Sequence, residues 1–375
     1  MRKLVSLIFV FLCLSGYSQR YLADEYPELD SIIGGTYGTA TDYQGVTQNL
    51  QFDFYEPAND TNSKRPLIIY LHGGGFNSGS RSYPSVKLIS RRMATKGYAV
   101  ANIDYRLDPD FNLYNSSSDR RAMTDAMHDA KQAIRYFKAN AAIYKIDTAF
   151  VFIGGESAGA ITAMMASFVD KQSEMTPYPM ADPNDPIGST SNADMSNSVK
   201  GTLCLCGMIL DTLAIESPTD PPILWTHGTD DNFIPLWLAF NVVLRASHIG
   251  LPIEARPYQG ATHCPWYYGN PNWLTYLDST VTDITNFLYP KISHTVGTRN
   301  KIHGEEIDIY PNPFKHIVTV SGISFNANDI KIYNMVGQDY TTIINVNGND
   351  LNLSGLPKGM YILRIQTFAR IVHKQ

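Results

Sequence analysis

The chain is poor in charge. Of its 375 residues only 17% are charged, with 30 Lys and Arg against 35 Asp and Glu and a formal net charge of −5, below the roughly 25% usual for soluble domains. No basic stripe is present, which excludes the counterion-releasing contacts that a nucleic-acid backbone demands. Four cysteines are too few for a disulfide-dense scaffold and form no paired C-x-x-C metal motif. H-E-x-x-H is absent and the nine histidines are scattered, so no metal ligand set is expected. Phosphate-cradling patterns of the G-x-x-x-x-G-K-[ST] or G-x-G-x-x-G kind are also missing, and no cofactor is implied. Long apolar runs are wanting too: the longest, Leu4 to Leu14, is 11 residues, too short at 1.5 Å per residue for a hydrocarbon layer roughly 30 Å thick.

That short run follows Arg2 and Lys3 and precedes the small residues Gly16 and Ser18, the layout of a secretory signal peptide over residues 1–18. The whole chain is 44% hydrophobic and 11% aromatic, enough to bury a large domain and a small one. From about Gln51 to Leu288 short apolar runs alternate with segments of helical period, the mark of a doubly wound, mostly parallel α/β sheet. The expected strands are Leu67–Leu71, Ala99–Asp104, Ala149–Ile153, Thr202–Cys206, Ile223–Thr226 and Ile253–Tyr258. Ala122–Asn140, Ala158–Phe168, Pro235–Ile249 and Trp273–Leu288 read as helices. A Pro-, Asp-, Asn- and Ser-rich insertion at 170–198 interrupts this rhythm and reads as a loop near a site mouth. After a polar stretch at 293–304 the period changes to two, and residues 305–375 read as a small all-β, Ig-like sandwich.

Chemistry concentrates in three places. Gly155-Glu156-Ser157-Ala158-Gly159 lies between an apolar strand and a helix, so Ser157 occupies a sharp turn that exposes its hydroxyl; an idle serine in a tight turn is the bland alternative. His72-Gly73-Gly74-Gly75-Phe76 follows another strand. Gly74 and Gly75 can aim backbone N–H groups at an oxyanion, with the Ala158 N–H as a third donor, and His72 reads as a brace of this loop. Third, Trp266 and Tyr267, just after His263, read with Phe76 as walls of a substrate pocket, or else as packing for the last helix.

Together, HGGG and GESAG resemble the α/β-hydrolase superfamily, specifically the hormone-sensitive-lipase-like and carboxylesterase group. Asp104-Tyr105-Arg106-Leu107-Asp108-Pro109-Asp110 is similar to that group's DYRLAPE stretch, with Asp108 and Asp110 as departures. The resemblance implies a Ser-His-Asp triad in the order nucleophile, acid, base. Of the histidines after Asp230, His248 falls in an expected helix and those from His294 onward in the linker or tail, which leaves His263 as the base. His227-Gly228-Thr229-Asp230-Asp231 with Ile234-Pro235 is similar to the family's HGTxDxxVP segment and aligns Asp231 with the acid. The implied activity is carboxylic-ester hydrolysis through an acyl-enzyme, with short or aromatic acyl esters of a polysaccharide, a lipid, a polyester or a peptide as alternatives for the substrate. A catalytically silent binder would normally have lost one of these groups.

The tail carries Tyr310-Pro311-Asn312-Pro313, Ile332-Tyr333-Asn334, Gly337-Gln338 and Leu356-Pro357-Lys358-Gly359 in order. It resembles the C-terminal sorting domain of the type IX secretion system, which implies that machinery as a partner and export through the periplasm of a Bacteroidetes-type bacterium to the medium or outer-membrane surface. The expected organisation is signal peptide 1–18, catalytic domain 19–292, linker 293–304 and sorting domain 305–375. Cys204 and Cys206, two apart, are expected to face one side of a strand; either could pair with Cys264, or all could remain buried thiols.

Overall fold

The computed structural model describes residues 20–42, 44–111, 116–171, 174, 192, 194–292, 308–334, 338–366 and 368–374. The expected signal peptide, the linker and most of the 170–198 insertion lie outside the described residues. The central sheet has eight strands in the order β1-β2-β4-β3-β5-β6-β7-β8. These are β1 Leu29–Thr41, β2 Thr47–Pro57, β3 Arg65–Leu71, β4 Ala99–Ile103, β5 Ile146–Glu156, β6 Thr202–Leu205, β7 Ile223–Gly228 and β8 Ile253–Tyr258. β3 to β8 pair in parallel, while β1 and β2 form an antiparallel edge.

Because side chains alternate along a strand, β3 feeds two cores: Leu67, Ile69 and Leu71 enter one layer, and Ile68 and Tyr70 the other. The first layer is covered by α2 (Ser116–Ala139), through Ala126, Met127, Ala130, Ala133, Ile134 and Phe137, and by α4 (Ala158–Phe168) and α6 (Asn241–Ile249). The second is covered by α1 (Pro84–Ala94) and α7 (Trp273–Ile292). Burial on both faces accounts for the near-continuous apolar strands. α4 is buried along almost its whole length, so it has no polar face to read.

Several elements differ from expectation. β1 and β2 extend the sheet before Leu67; β1 is polar, glycine-containing and mostly exposed, and it exists through its pairing with β2 rather than through an apolar pattern of its own. The expected helix at 235–249 is broken at Phe240 into α5 (Leu236–Ala239) and α6. α1 was not expected; its Pro84 stands in the first turn, a favoured start. A four-residue helix, α3 (Ala141–Tyr144), follows α2.

The tail contains β9 (Asp308–Tyr310), β10 (Ile317–Ser321), β11 (Ile330–Asn334), β12 (Asn345–Asn347), β13 (Asp350–Asn352), β14 (Gly359–Ile365) and β15 (Phe368–Lys374). They make antiparallel sheets of four and three strands, with Val318, Val320, Ile332, Leu351, Leu363 and Val372 in a shared core. Ile343, read as strand, ends a 3-10 turn instead, and the strand begins at Asn345.

Candidate active site

The C-terminal ends of the parallel strands gather the chemistry, as open α/β sheets generally do. β5 ends at Glu156 and α4 begins at Ala158, leaving Ser157 between them at φ 55° and ψ −119°. That backbone costs about 1–3 kcal/mol for a residue with a Cβ. The flanking glycines are there for space: a Cβ on Gly155 would lie 2.5 Å from the Leu71 carbonyl oxygen, and one on Gly159 2.4 Å from it. The Ser157 amide donates to the carbonyl of Leu205 at the end of β6 (3.0 Å), which fixes the turn against the next strand.

His263 lies on the loop after β8. Its Nδ1 donates to Asp231 Oδ2 at 2.6 Å, so Nε2 is the acceptor for the Ser157 hydroxyl at 2.8 Å. Asp231 follows β7 and is held on its other oxygen, which accepts from the amides of Phe233 and Ile234 at 2.8 and 2.9 Å. Burial pushes its pKa up, but hydrogen bonds from His227 and His263 outweigh that and hold the carboxyl well below the usual carboxylate range. His227 is buried, stacked on Trp225. Its Nε2–H donates to the Ile234 carbonyl at 2.8 Å and stands 3.2 Å from Asp231 Oδ2. Sequence reasoning used His227 only as part of a motif; the signal for its role was its i, i+4 spacing to Asp231.

The glycine loop after β3 borders the same point. A Cβ on Gly73 would lie 3.3 Å from Ser157 Cβ and 2.6 Å from the Tyr267 hydroxyl. Gly74 and Gly75 have φ of 121° and 61°, and among the described residues neither amide has an acceptor within the protein. His72 braces the loop: its Nδ1 bonds the Gly73 carbonyl at 2.6 Å, its ring stacks on Tyr105 at 4.4 Å, and the Tyr105 hydroxyl donates to the His72 carbonyl at 2.9 Å. Asp104 of the DYRLDPD stretch binds Arg81, and Asp108 pairs with Arg121 at 2.7 Å.

Two of the expected pocket walls are not at the surface. Trp266 is 1% exposed and its indole N–H donates to Glu156 at 2.8 Å, since a buried indole requires an acceptor; it anchors the loop below the site. Phe76 is buried against Tyr105 and Phe111. Tyr267 remains half-buried beside Gly73. Glu156, fully buried, also accepts from Ser85 at 2.7 Å, and burial raises its pKa. The ring beside His263 is one that sequence reasoning missed: Phe233, 79% exposed, with its centroid 5.3 Å from that of the imidazole.

Cys264, next to His263, is disulfide-bonded to Cys206, and Cys204 is a buried free thiol. The expectation that Cys204 and Cys206 share a side fails because β6 ends at Leu205 and Cys206 turns at φ 47°, so the two enter different cores.

This architecture, with a serine elbow between a parallel strand and a buried helix, is that of an α/β-hydrolase. Residues 52–202 match the BD-FAE family model, and residues 308–375 match the model described as the secretion system C-terminal sorting domain. The chain thus has the α/β-hydrolase fold and, over 308–375, a type IX sorting tail, which places it in the medium or at the outer-membrane surface. Solved structures of the same fold include Thermogutta terrifontis esterase 2 phosphorylated by paraoxon, at 21% identity and a TM-score of 0.54 over 71% of this chain and 95% of that one. Its propionate-bound form gives 20% and 0.55 over 73% and 97%.

Among curated relatives, a probable isoprenylcysteine alpha-carbonyl methylesterase of Oryza sativa subsp. japonica is 23% identical over 59% of this chain and 56% of its own length. Gut esterase 1 of Caenorhabditis elegans is 30% identical over 31% of this chain and 19% of its length. The chain thus spans little more than half, or less, of these relatives. Among the described residues no helix is long and apolar enough to cross a membrane.

Proposed function

We propose that the protein is a secreted serine carboxylic-ester hydrolase. The observation that carries this reading is the continuous relay from Ser157 through His263 to Asp231, at 2.8 and 2.6 Å, beside an open glycine loop. In this reading His263 Nε2 takes the Ser157 proton as Oγ attacks the ester carbonyl, and Asp231 stabilises the imidazolium. The N–H groups of Gly74, Gly75 and Ala158 receive the developing oxyanion, an arrangement in which each donor is worth roughly 3–4 kcal/mol. His263 then hands the proton to the leaving alcohol, and water, activated by the same imidazole, frees the acyl group.

The substrates are short-chain or aromatic esters, with acylated polysaccharides as the natural class for an exported enzyme. Esterase names among the curated relatives support the reaction class, and the sorting tail supports passage through the type IX machinery. The test is hydrolysis of p-nitrophenyl esters from acetyl to dodecanoyl. Turnover should favour short chains, and Ser157→Ala should lower kcat by a factor on the order of 10⁶. A folded wild-type protein that turns over none of these esters would overturn the reading.

A further inference from the structure

Phe233 is an apolar ring left in water beside the base. It is 79% exposed, yet its place is not loose. Its own amide donates to Asp231 Oδ1 at 2.8 Å, and its ring lies against the imidazole of His263, centroids 5.3 Å apart and planes tilted by 39°. One part of the ring therefore touches the triad while most of it faces solvent. A phenyl so exposed contributes little to folding, since it removes little apolar area from water.

We propose that Phe233 is a specificity-determining residue on which the leaving alcohol's ring packs. The inference rests on the esterase reading above, in which His263 Nε2 gives its proton to the oxygen of the departing alcohol. That oxygen must come within hydrogen-bond reach of Nε2, so the alcohol's first few atoms pass over the imidazole, and Phe233 is the exposed aromatic side chain in contact with that imidazole. A flat or chair-shaped ring on the alcohol would cover the phenyl; an ethyl group is too short to do so. The acyl side is different. Once the alcohol has left, nothing of the substrate remains over Phe233, so acyl-enzyme hydrolysis does not involve it.

Three acetate esters with one common acetyl-enzyme test this: phenyl acetate, cyclohexyl acetate and ethyl acetate. In Phe233→Ala the kcat/KM of phenyl acetate relative to ethyl acetate should fall about fivefold, the size of one lost aromatic contact. Phe233→Trp should restore the ratio. A matching fall for cyclohexyl acetate would assign the contact to any apolar ring, and a fall confined to phenyl acetate to an aromatic one; either supports the proposal. The loss should sit in kcat/KM, which reports acylation, and not in the rate of acetyl-enzyme hydrolysis. An equal loss on all three esters, shared by deacylation, would mean that Phe233 only props His263, and would overturn the inference while leaving the esterase reading intact. Absence of turnover in the wild type would instead defeat the esterase reading itself.

Discussion

Cys206 and Cys264 are joined over a sequence separation of 58, and the bridge ends one residue from His263. Its other end follows β6, the strand whose last carbonyl accepts the Ser157 amide. The covalent link therefore ties the loop of His263 to the strand that steadies Ser157. Both sulfurs and a nitrogen of His263 lie within 4.8 Å of one another. An exported chain meets the oxidising conditions in which such a bond persists.

Reduction, or Cys206→Ser, should therefore lower stability and turnover together. Closing a loop of 58 residues removes about 4 kcal/mol of unfolded-chain entropy in the simple loop model. Thermal unfolding and p-nitrophenyl acetate kcat, each with and without a phosphine reductant, check this. A lower melting temperature with an unchanged kcat would mean that the bridge staples the fold without positioning His263.

Asp231→Asn should keep the turn at Phe233 and Ile234 but lose the charge that favours the imidazolium, with kcat falling roughly 10⁴-fold. It also changes the acid limb of stability. The folded-state pKa of Asp231 is depressed, so its contribution is present above the unfolded value of about 3.9 and is lost as pH falls through the lower folded value. Urea midpoints measured from pH 6 downward should fall more steeply in the wild type than in the variant. Parallel curves would argue against the charge as a stabilising group.

Glu156 has the opposite sign. Burial raises its pKa, so folding favours the protonated acid, and its contribution is complete below the unfolded value of about 4.3 and lost as pH rises through the folded one. Glu156→Gln removes that dependence; its one oxygen still accepts from the Trp266 indole, and its amide nitrogen donates to the Ser85 hydroxyl, which turns to accept. Relative to the wild type, the variant should gain stability as pH rises from 4 toward neutral. A difference between the two that does not change with pH would show that the carboxyl does not titrate in this range.

The sheet and the Ser157 turn were legible because their signals are local. Near-continuous apolar strands, the GESAG turn and the glycine run each occupy a few adjacent residues whose sterics dictate them. β1 was not legible, since a polar strand is held by its neighbour and leaves no pattern of its own. Trp266 illustrates a different limit. An aromatic three residues after His263 can wall a pocket or anchor a loop, and what decides is an acceptor 110 residues away, the carboxyl of Glu156. The same holds for Cys206, whose direction depends on the strand ending one residue early. Phe233 escaped because exposure is a property of the folded surface, and the chain around it, Asn232-Phe233-Ile234, is unremarkable.

Removing residues 305–375 should separate catalysis from export. The tail has its own apolar cluster, and among the described residues of the two larger cores only the first takes a side chain from it, Ile362, so the deletion opens one small gap rather than a core. None of the residues of the Ser157 relay lies beyond His263. The truncated enzyme should therefore hydrolyse p-nitrophenyl acetate in periplasmic extracts at close to the full-length rate per molecule. Activity in the medium and on washed cells should be lost, because the matched sorting segment begins at 308 and is gone. Fractionated cultures of the two forms, assayed side by side, decide the matter: normal export of the shortened chain would refute the sorting role. An inactive but stable truncation in the periplasm would instead show that the Ile362 contact supports the catalytic fold.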